Sequence, residues 1–382
     1  MKKSILKLAV LTLATLPLPA LADITVGVIV SLTGPAASLG IPAKNTVEIM
    51  PQTVAGQKIR FVILDDASDA TSAVKNARKL IDEDKVDIIL GPSVTPTSLA
   101  ALEVIGPAQT PMISLAGSGA IILPPEGNRR WAFKLAPNEP IQGAYIFDHM
   151  QKAGGKTLAH FMHANAFGES FSSEMTKIAV ARGIPVVASE KYAPNDTSVV
   201  AQALKVMLAK PDAVIVSASG TSGVMPVSEL KKQGYRGQIY INQGMANNDV
   251  LRVGGRDLEG ILFPVSPVLV AEQLPDSNPV KQAGLDYVRR YEAKFGPGSR
   301  SLFGATAWDA FLMFQSVVPA ALKAGQPGTV AFRVSLRDNL ERLKDFAGAQ
   351  GVFSMNDKDH NGTDRRAQVL VKIEGGKWVY IP

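Results

Sequence analysis

Residues 86–115 read VDIILGPSVTPTSLAALEVIGPAQTPMISL. Two short apolar runs, Val86–Leu90 and Pro111–Leu115, flank a segment from about Thr97 to Ile105 that has the length of a helix. The first run stops at Gly91-Pro92, a dipeptide typical of a turn. A strand, a helix and a second strand at this spacing predict a right-handed βαβ unit with two parallel strands.

The same alternation continues on both sides of this unit. Upstream, it predicts strands at Ile24–Ser31 and Ile59–Leu64 and helices over 41–55, where Pro42 suits a first turn, and over 70–83. It then starts again after Leu135-Ala136-Pro137. We therefore predict an α/β fold with two doubly wound parallel-sheet lobes joined by a multi-strand hinge. The second lobe takes its strands from Thr157–His163, Pro185–Ser189, Ala213–Ser217 and Gln238–Asn242.

The last hundred residues are too fragmented to form a third core. They predict helices over 280–296, 303–324 and 331–345 and short strands over 351–353, 367–373 and 377–381. We expect the helices to return to the first lobe and the strands to the second. The predicted lobes are 23–136 plus 267–347 and 137–266 plus 348–382, with connections at Leu135–Pro137, Pro264–Ser266 and Gly348–Gly351.

The first 22 residues have the composition of a secretory signal peptide. Three lysines precede an apolar run from Leu8 to about Leu18, and Ala20-Leu21-Ala22 is a small-x-small cleavage site. Cleavage after Ala22 removes three positive charges, so the net charge falls from +6 to +3. Because no basic cluster is interleaved with aromatic residues, we expect an exported protein that does not bind nucleic acid.

The chain offers little material for catalysis or metal binding. It has no cysteine and four histidines, which excludes disulfides, thiolate zinc sites and thiol nucleophiles. Asp357–Gly362 resembles the start of a calcium loop, but the position of the bidentate glutamate is Gln368. No nucleophile elbow, phosphate loop or dinucleotide motif is present. We expect no cofactor, no metal and no enzymatic activity.

Ligands of open parallel sheets bind beyond the carboxyl ends of the strands. Two predicted loops there, residues 91–98 and 115–119, are rich in small and hydroxyl-bearing residues and carry no charge. Small residues let backbone N–H groups approach a ligand, and hydroxyls at a helix start bind anions. The alternative is that these serines and threonines only cap their helices.

Six segments follow one another along the chain: ITVGVIVSLTGPAASLG (24–40), FVILDD (61–66), DIILGPSVTPTSLA (87–100), TPMISLAGSG (110–119), AFGESF (166–171) and LFGATAWDAF (302–311). Taken in order, they resemble the leucine/isoleucine/valine-binding family of periplasmic solute-binding proteins. This resemblance implies two lobes that close on a ligand, a periplasmic location and delivery to the membrane permease of an ABC importer; we expect a monomer.

The resemblance also assigns a ligand site. In that family the loops after the third and fourth strands hold the carboxylate of an amino acid. This places the carboxylate-binding hydroxyls at Thr95 and Ser118, with Ser93 in the same loop, and turns the Ala116 carbonyl toward the amine of the ligand. Neutral donors suffice because a hydrogen bond to a charged acceptor contributes roughly 1.5–3 kcal/mol.

Other positions depart from the family pattern. Gln243 stands where a glutamate would pair with the ammonium group, Leu39 replaces a wall that is often aromatic, and Thr221 is smaller than the expected tyrosine, whereas Phe167 keeps an aromatic wall. A neutral amide does not balance a buried ammonium. We therefore expect a small carboxylate without an obligatory amine, an aromatic or aliphatic organic acid. A branched-chain or other amino acid, a sensor subunit of this fold and an exported enzyme remain alternatives.

Overall fold

The structure is a computed structural model that describes residues 23–382, so the predicted signal peptide and its cleavage site lie outside the described residues. The first sheet has the strand order β2-β3-β1-β4-β5-β6 and is parallel except for the β2–β3 pair. Its strands are β1 (Ile24–Val30), β2 (Thr53–Val54), β3 (Gln57–Asp65), β4 (Ile88–Leu90), β5 (Met112–Ser114) and β6 (Ala132–Lys134), and its helices are α1 (Ala37–Val47), α2 (Ala70–Asp82) and α3 (Thr95–Ile105).

The second part of the chain supplies another layer of strands and helices. Every residue of β9 is buried, as expected for a central parallel strand covered on both faces. The strands are β7 (Leu158–His163), β8 (Val186–Tyr192), β9 (Ala213–Ser217), β10 (Gln238–Ile241) and β11 (Leu262–Val265), and the helices are α4 (Glu139–Lys152), α5 (Ala166–Ala181), α6 (Val200–Leu208), α7 (Val224–Lys232) and α8 (Asn248–Gly254).

The tail joins both sheets. It forms α9 (Lys281–Phe295), α10 (Leu302–Ala324), α11 (Val330–Leu340), β12 (Phe346–Ala347), β13 (Val352–Phe353), β14 (Val369–Glu374) and β15 (Lys377–Ile381). The long helix α10 packs against α1 and α11. Strands β14 and β15 extend one end of the second sheet and run antiparallel to their neighbours, in the order β15-β14-β11-β10-β9-β7-β8. We call the sheet of β1–β6 with its helices the first lobe and the seven-stranded sheet with its helices the second.

Two details of the sequence prediction are wrong. The first helix runs over residues 37–47 and not 41–55, and Pro42 lies inside it. The chain needs the residues after Glu48 for a turn into β2, which pairs with β3 as a short hairpin. Strands β6 and β11, of three and four residues, are absent from the sequence prediction because they lie at the predicted connections 135–137 and 264–266 and are too short to show a pattern of their own. The equally short β4 and β5 are marked by the predicted helix between them.

The chain passes between the lobes through segments that hydrogen bond to each other. After β6, the backbone carbonyls of Lys134 and Ala136 accept hydrogen bonds from the Asn361 amide at 2.8 and 3.0 Å. The His360 carbonyl accepts one from the Lys134 N–H at 3.1 Å. The residues just before β14 therefore run beside the first connection, and the lobe boundaries given above stay predictions. Within residues 23–382, no helix combines the length and hydropathy needed to cross a bilayer.

Candidate functional site

A pocket lies between the two lobes, at the carboxyl ends of the parallel strands, with about 430 Å³ of space not filled by protein atoms when the open solvent at its mouth is included. Its walls come from the loops after β4 and β5, from the starts of α1, α5 and α10, and from the loop after β10. The structure thus brings together six of the eight residues that the sequence assigned to the ligand site. They are Leu39, Ser93, Thr95, Ala116, Phe167 and Gln243.

The first-lobe wall carries hydroxyl groups held by backbone N–H groups. The Oγ1 atom of Thr95, the first residue of α3, accepts from the Ser118 N–H at 3.4 Å, which leaves the hydroxyl hydrogen of Thr95 free to donate. The loop before it passes so close to β1 that a Cβ on Gly91 would lie 1.9 Å from the Ile29 carbonyl oxygen. Gly91 also has a φ of +109°, so only glycine fits at this position. The close approach of this loop to β1 positions Thr95 at the pocket.

Ser118 and Thr221 do not line this pocket. The Ser118 side chain is fully buried and donates to the Ser170 hydroxyl at 2.8 Å, while accepting from the Ala120 N–H at 3.1 Å. Its oxygen is therefore engaged with the second lobe and with the short 3₁₀ turn it caps. Thr221 lines a separate recess at the cleft mouth with Gly34 and other residues. A loop register alone does not specify which way these hydroxyls point.

A chain of hydrogen bonds beside the pocket joins the two lobes. Ser118 donates to Ser170 on α5, and Ser170 donates to the Glu139 carboxylate on α4 at 2.8 Å. The same carboxylate accepts from the backbone N–H of Gly119 in the first lobe at 3.1 Å. Because Glu139 is 4% exposed, these bonds replace water that the carboxylate has lost. We call Ser118, Gly119, Glu139 and Ser170 the interlobe latch.

The second-lobe wall is made of amide side chains, and sequence reasoning found only one of them. Gln243 accepts through Oε1 from the Gln368 amide at 2.8 Å and from the Ser266 hydroxyl at 3.3 Å. Its neighbours on this wall are Gln142 of α4 and Asn242. No motif marks Gln142, since it is 101 residues away from Gln243 along the chain and meets it only through the fold.

Apolar residues complete the pocket. Leu39, Leu115 and Phe303 line it together with Phe167, which packs over Gly117 from the opposite lobe. A Cβ at Gly117 would lie 2.9 Å from the Phe167 ring, so glycine is needed for this approach. These side chains form a surface suited to an aliphatic or aromatic group. Phe303 belongs to the quoted LFGATAWDAF segment but was not recognised as a pocket residue.

The pocket contains no formal charge. Among the described residues, the seventeen that line it include no Asp, Glu, Lys, Arg or His. Also within residues 23–382, no group of three or more His, Cys, Asp or Glu side chains is placed to hold a metal ion. A ligand here meets hydroxyls, amides, backbone groups and apolar surface only.

Two buried ionisable groups lie behind the walls. Burial lowers the pKa of Lys134 to about 8, although Glu139 and Asp359 oppose this shift. The Lys134 ammonium donates to the carbonyl of Ala136, a pocket residue. On α10, burial raises the pKa of Asp309 to about 7, and its carboxylate accepts from two backbone N–H groups at 2.8 and 2.9 Å. Both groups therefore have protonation equilibria near neutral pH.

His163, at the end of β7, lies next to the pocket and not in it. Burial lowers its pKa to about 4, so the ring is neutral at neutral pH. Its Nε2 lies 3.1 Å from the Ser222 hydroxyl, and its ring packs edge-on against Tyr192. Together with Phe167, His163 borders a second recess that adjoins this pocket.

Two parallel-sheet lobes that enclose an uncharged pocket define a ligand-binding protein of the two-lobed type. A sequence profile described as periplasmic binding protein matches residues 23–377, and the chain belongs to this family. The family consists of substrate-binding proteins that take up small molecules in the periplasm and work with the permeases of ABC importers.

Known proteins resemble the chain over most of its length. An extracellular ligand-binding receptor from Rhodopseudomonas palustris HaA2 is 39% identical, with a TM-score of 0.91 over 94% of this chain and 100% of that one. The LivJ substrate-binding protein of Streptococcus pneumoniae, solved with isoleucine, is 19% identical with a TM-score of 0.77, over 94% and 100% of the two chains, and shows the fold alone. A Leu/Ile/Val-binding protein homolog of Brucella melitensis is 23% identical over 64% of this chain and 67% of its own length.

Proposed function

We propose that this protein is the periplasmic substrate-binding component of an ABC importer and that it captures a small monocarboxylate, an aromatic or aliphatic organic acid. We propose further that it is exported through cleavage after Ala22, acts as a monomer and does not alter its ligand. The observation that carries the choice of ligand is the pocket without a single charged side chain.

One carboxylate suits the first-lobe wall. Thr95 begins the eleven-residue helix α3, whose first N–H groups and positive dipole end favour an anion. Its hydroxyl and the Ser93 hydroxyl stand on the same wall. Because each hydrogen bond to a charged acceptor contributes roughly 1.5–3 kcal/mol, a few neutral donors stabilise one carboxylate without a cation.

An ammonium group fits this pocket poorly. It needs acceptors, and a closed cleft raises the free energy of a positive charge that has no carboxylate partner. The acidic group on the same side of the cleft, Glu139, already accepts from Gly119 and Ser170 and does not line the pocket. A carboxylate without an amine avoids this cost.

A branched-chain amino acid is the second candidate. The names of the relatives favour it, since the Brucella homolog is called a Leu/Ile/Val-binding protein and the Streptococcus protein was solved with isoleucine. In that case the carbonyl oxygens and hydroxyls of the pocket would have to balance the ammonium group. The two candidates differ by one functional group and can be separated directly.

The test compares leucine with 4-methylpentanoate, which is leucine without its amine, by thermal shift and titration calorimetry. At a hundredfold excess over Kd, a bound ligand raises the free energy of unfolding by roughly 2.7 kcal/mol. We expect 4-methylpentanoate or the bulkier 3-phenylpropionate to raise Tm and leucine to leave it unchanged. Binding of leucine but of neither acid would overturn the proposal in favour of the second candidate.

Hinge closure and absence of turnover have their own tests. Small-angle scattering should show a smaller radius of gyration when the acid is added, because a ligand that contacts both walls favours the closed state. Mass spectrometry of the ligand released by denaturation should return the unaltered acid. A converted product would instead support the exported enzyme that the sequence left open.

A further inference from the structure

Three amide side chains, Gln142, Asn242 and Gln243, form the second-lobe wall of the pocket. All three are buried, with exposed fractions of 1%, 0% and 5%. An amide presents either a carbonyl oxygen, which accepts, or an NH2 group, which donates. The direction in which each amide is held therefore decides what kind of ligand atom this wall recognises.

The oxygen of each amide is already bound to the protein. Asn242 Oδ1 accepts from the Ala218 N–H at 2.9 Å, and Gln142 Oε1 accepts from the Gln243 N–H at 3.3 Å. A backbone N–H can only donate, so neither amide can be reversed without losing its bond. Gln243 Oε1 has two donors, the Gln368 amide and the Ser266 hydroxyl.

The amide nitrogens of this wall still have hydrogens that can be donated to a ligand. Within the described residues, Asn242 Nδ2 is buried with no hydrogen-bond partner in the protein. Gln142 Nε2 makes one bond, to the Pro137 carbonyl at 3.4 Å, which leaves its second hydrogen. A buried donor without an acceptor is unfavourable, and a ligand oxygen would satisfy it. The wall is therefore a donor surface.

We infer that the ligand carries, besides its carboxylate, a neutral oxygen acceptor that the Gln142–Asn242–Gln243 wall binds, so that the ligand is an oxo or hydroxy monocarboxylic acid. This rests on the proposed function, because it assumes that the first-lobe wall holds the carboxylate. A second carboxylate is excluded by the same pocket, since no cation lines it to balance a second negative charge. An ammonium is disfavoured because Asn242 and Gln142, whose oxygens are fixed by backbone N–H groups, present hydrogens and not lone pairs.

A matched series of phenyl compounds tests the inference by titration calorimetry. The members are 3-phenylpropionate, phenylpyruvate, 3-phenyllactate, 3-(4-hydroxyphenyl)propionate and phenylalanine, which share one skeleton and differ in the presence, kind and position of the added group. We expect at least one of the three oxygenated acids to bind about tenfold to a hundredfold more tightly than 3-phenylpropionate, and phenylalanine not to bind.

The variant Asn242→Asp keeps the acceptor for the Ala218 N–H and removes the two donors. Its negative charge weakens the binding of every acid. The informative quantity is therefore the ratio of two affinities, that of the most tightly bound oxygenated acid and that of 3-phenylpropionate. In this variant the ratio should fall close to one. Asn247→Asp is the matched control: this buried asparagine caps α8 through Oδ1 and does not line the pocket. It adds the same charge nearby and should keep the ratio.

The outcomes separate this inference from the proposed function. Equal affinities across the four acids overturn the inference and leave the proposed function standing. Binding of phenylalanine with no acid bound overturns both. An unchanged ratio in Asn242→Asp, with the wild-type preference present, shows that another part of the pocket recognises the oxygen and refutes the role of this wall.

Discussion

Ser170 is the residue whose removal tests the interlobe latch. Its hydroxyl accepts from Ser118 of the first lobe and donates to Glu139 of the second, at 2.8 Å in both cases. Because Ser118 and Ser170 belong to different lobes, we expect their bond to break when the cleft opens. Replacing Ser170 by alanine removes both bonds and changes no other side chain.

The size of the effect on closure follows from the Ser118–Ser170 bond alone, because Ser170 and Glu139 both belong to the second lobe and keep their bond when the cleft opens. A neutral hydrogen bond contributes about 0.5–1.5 kcal/mol. We take about 1 kcal/mol as the loss in the closed state relative to the open one. Since apparent affinity scales with the population of the closed state, Ser170→Ala should bind ligand about fivefold more weakly.

The assay is titration calorimetry with the acid that binds the wild type most tightly. Ser173→Ala is the matched control, since Ser173 is exposed on the same helix and does not line the pocket. Scattering on the ligand-free proteins should show a larger radius of gyration for Ser170→Ala. An affinity equal to that of the control would refute the latch, and a lower Tm with unchanged affinity would show that the serine only stabilises its own lobe.

Three further predictions concern single side chains. Thr95→Val should weaken carboxylate binding about tenfold or more by calorimetry while leaving the Tm of the ligand-free protein unchanged, because it removes the free donor of the first-lobe wall; equal affinity would remove Thr95 from the site. Burial lowers the pKa of Lys134 from 10.5 to about 8, so the unfolded chain binds this proton more tightly than the folded protein does. In urea titrations, the free energy of unfolding of the wild type relative to Lys134→Met should therefore rise by about 3 kcal/mol between about pH 7 and about pH 11. Burial raises the pKa of Asp309 from 3.8 to about 7, so wild-type stability relative to Asp309→Asn should instead fall by about 4 kcal/mol between about pH 4 and about pH 8. A flat difference over either interval would contradict the corresponding burial effect.

The fold class was predictable because buried parallel strands have a characteristic sequence pattern, a nearly continuous apolar run. Buried runs such as Ile24–Val30 and Ala213–Ser217 are apolar at nearly every position, and the helices between them show their own period. Strands of three residues were predictable only where, like β4 and β5, they flank a predicted helix. Strand β6 has three residues and is defined by pairing with β5, a long-range contact that a local pattern does not contain.

Some residues of the candidate site could be predicted from the sequence and others could not. The two loops that contain Thr95 and Ala116 were predictable because they follow strands, and the ends of parallel strands converge wherever the sheet forms. The family resemblance then pointed to these two residues within the loops. Gln142 and Thr306 lie inside helices α4 and α10, and their side chains enter the pocket only because those helices pack at the cleft. For Ser118, the position in a loop that follows a strand was predicted, but its hydrogen bond to Ser170 was not.

Both the protein and the ligand contribute to the free energy of closing the cleft, the protein through the interlobe latch and the ligand through its contacts with the pocket. A ligand favours closure only by the interactions it makes in the closed state and not in the open one. We expect the latch to supply part of that preference without any ligand, through the bonds of Ser118 with Ser170 and of Gly119 with Glu139. An uncharged pocket, whose contacts with each ligand are individually modest, is compatible with tight binding because the free protein has already lowered the free energy of its closed state. A stronger latch would therefore raise the affinity for every ligand alike, whereas changes in the amide wall would alter which ligand is preferred.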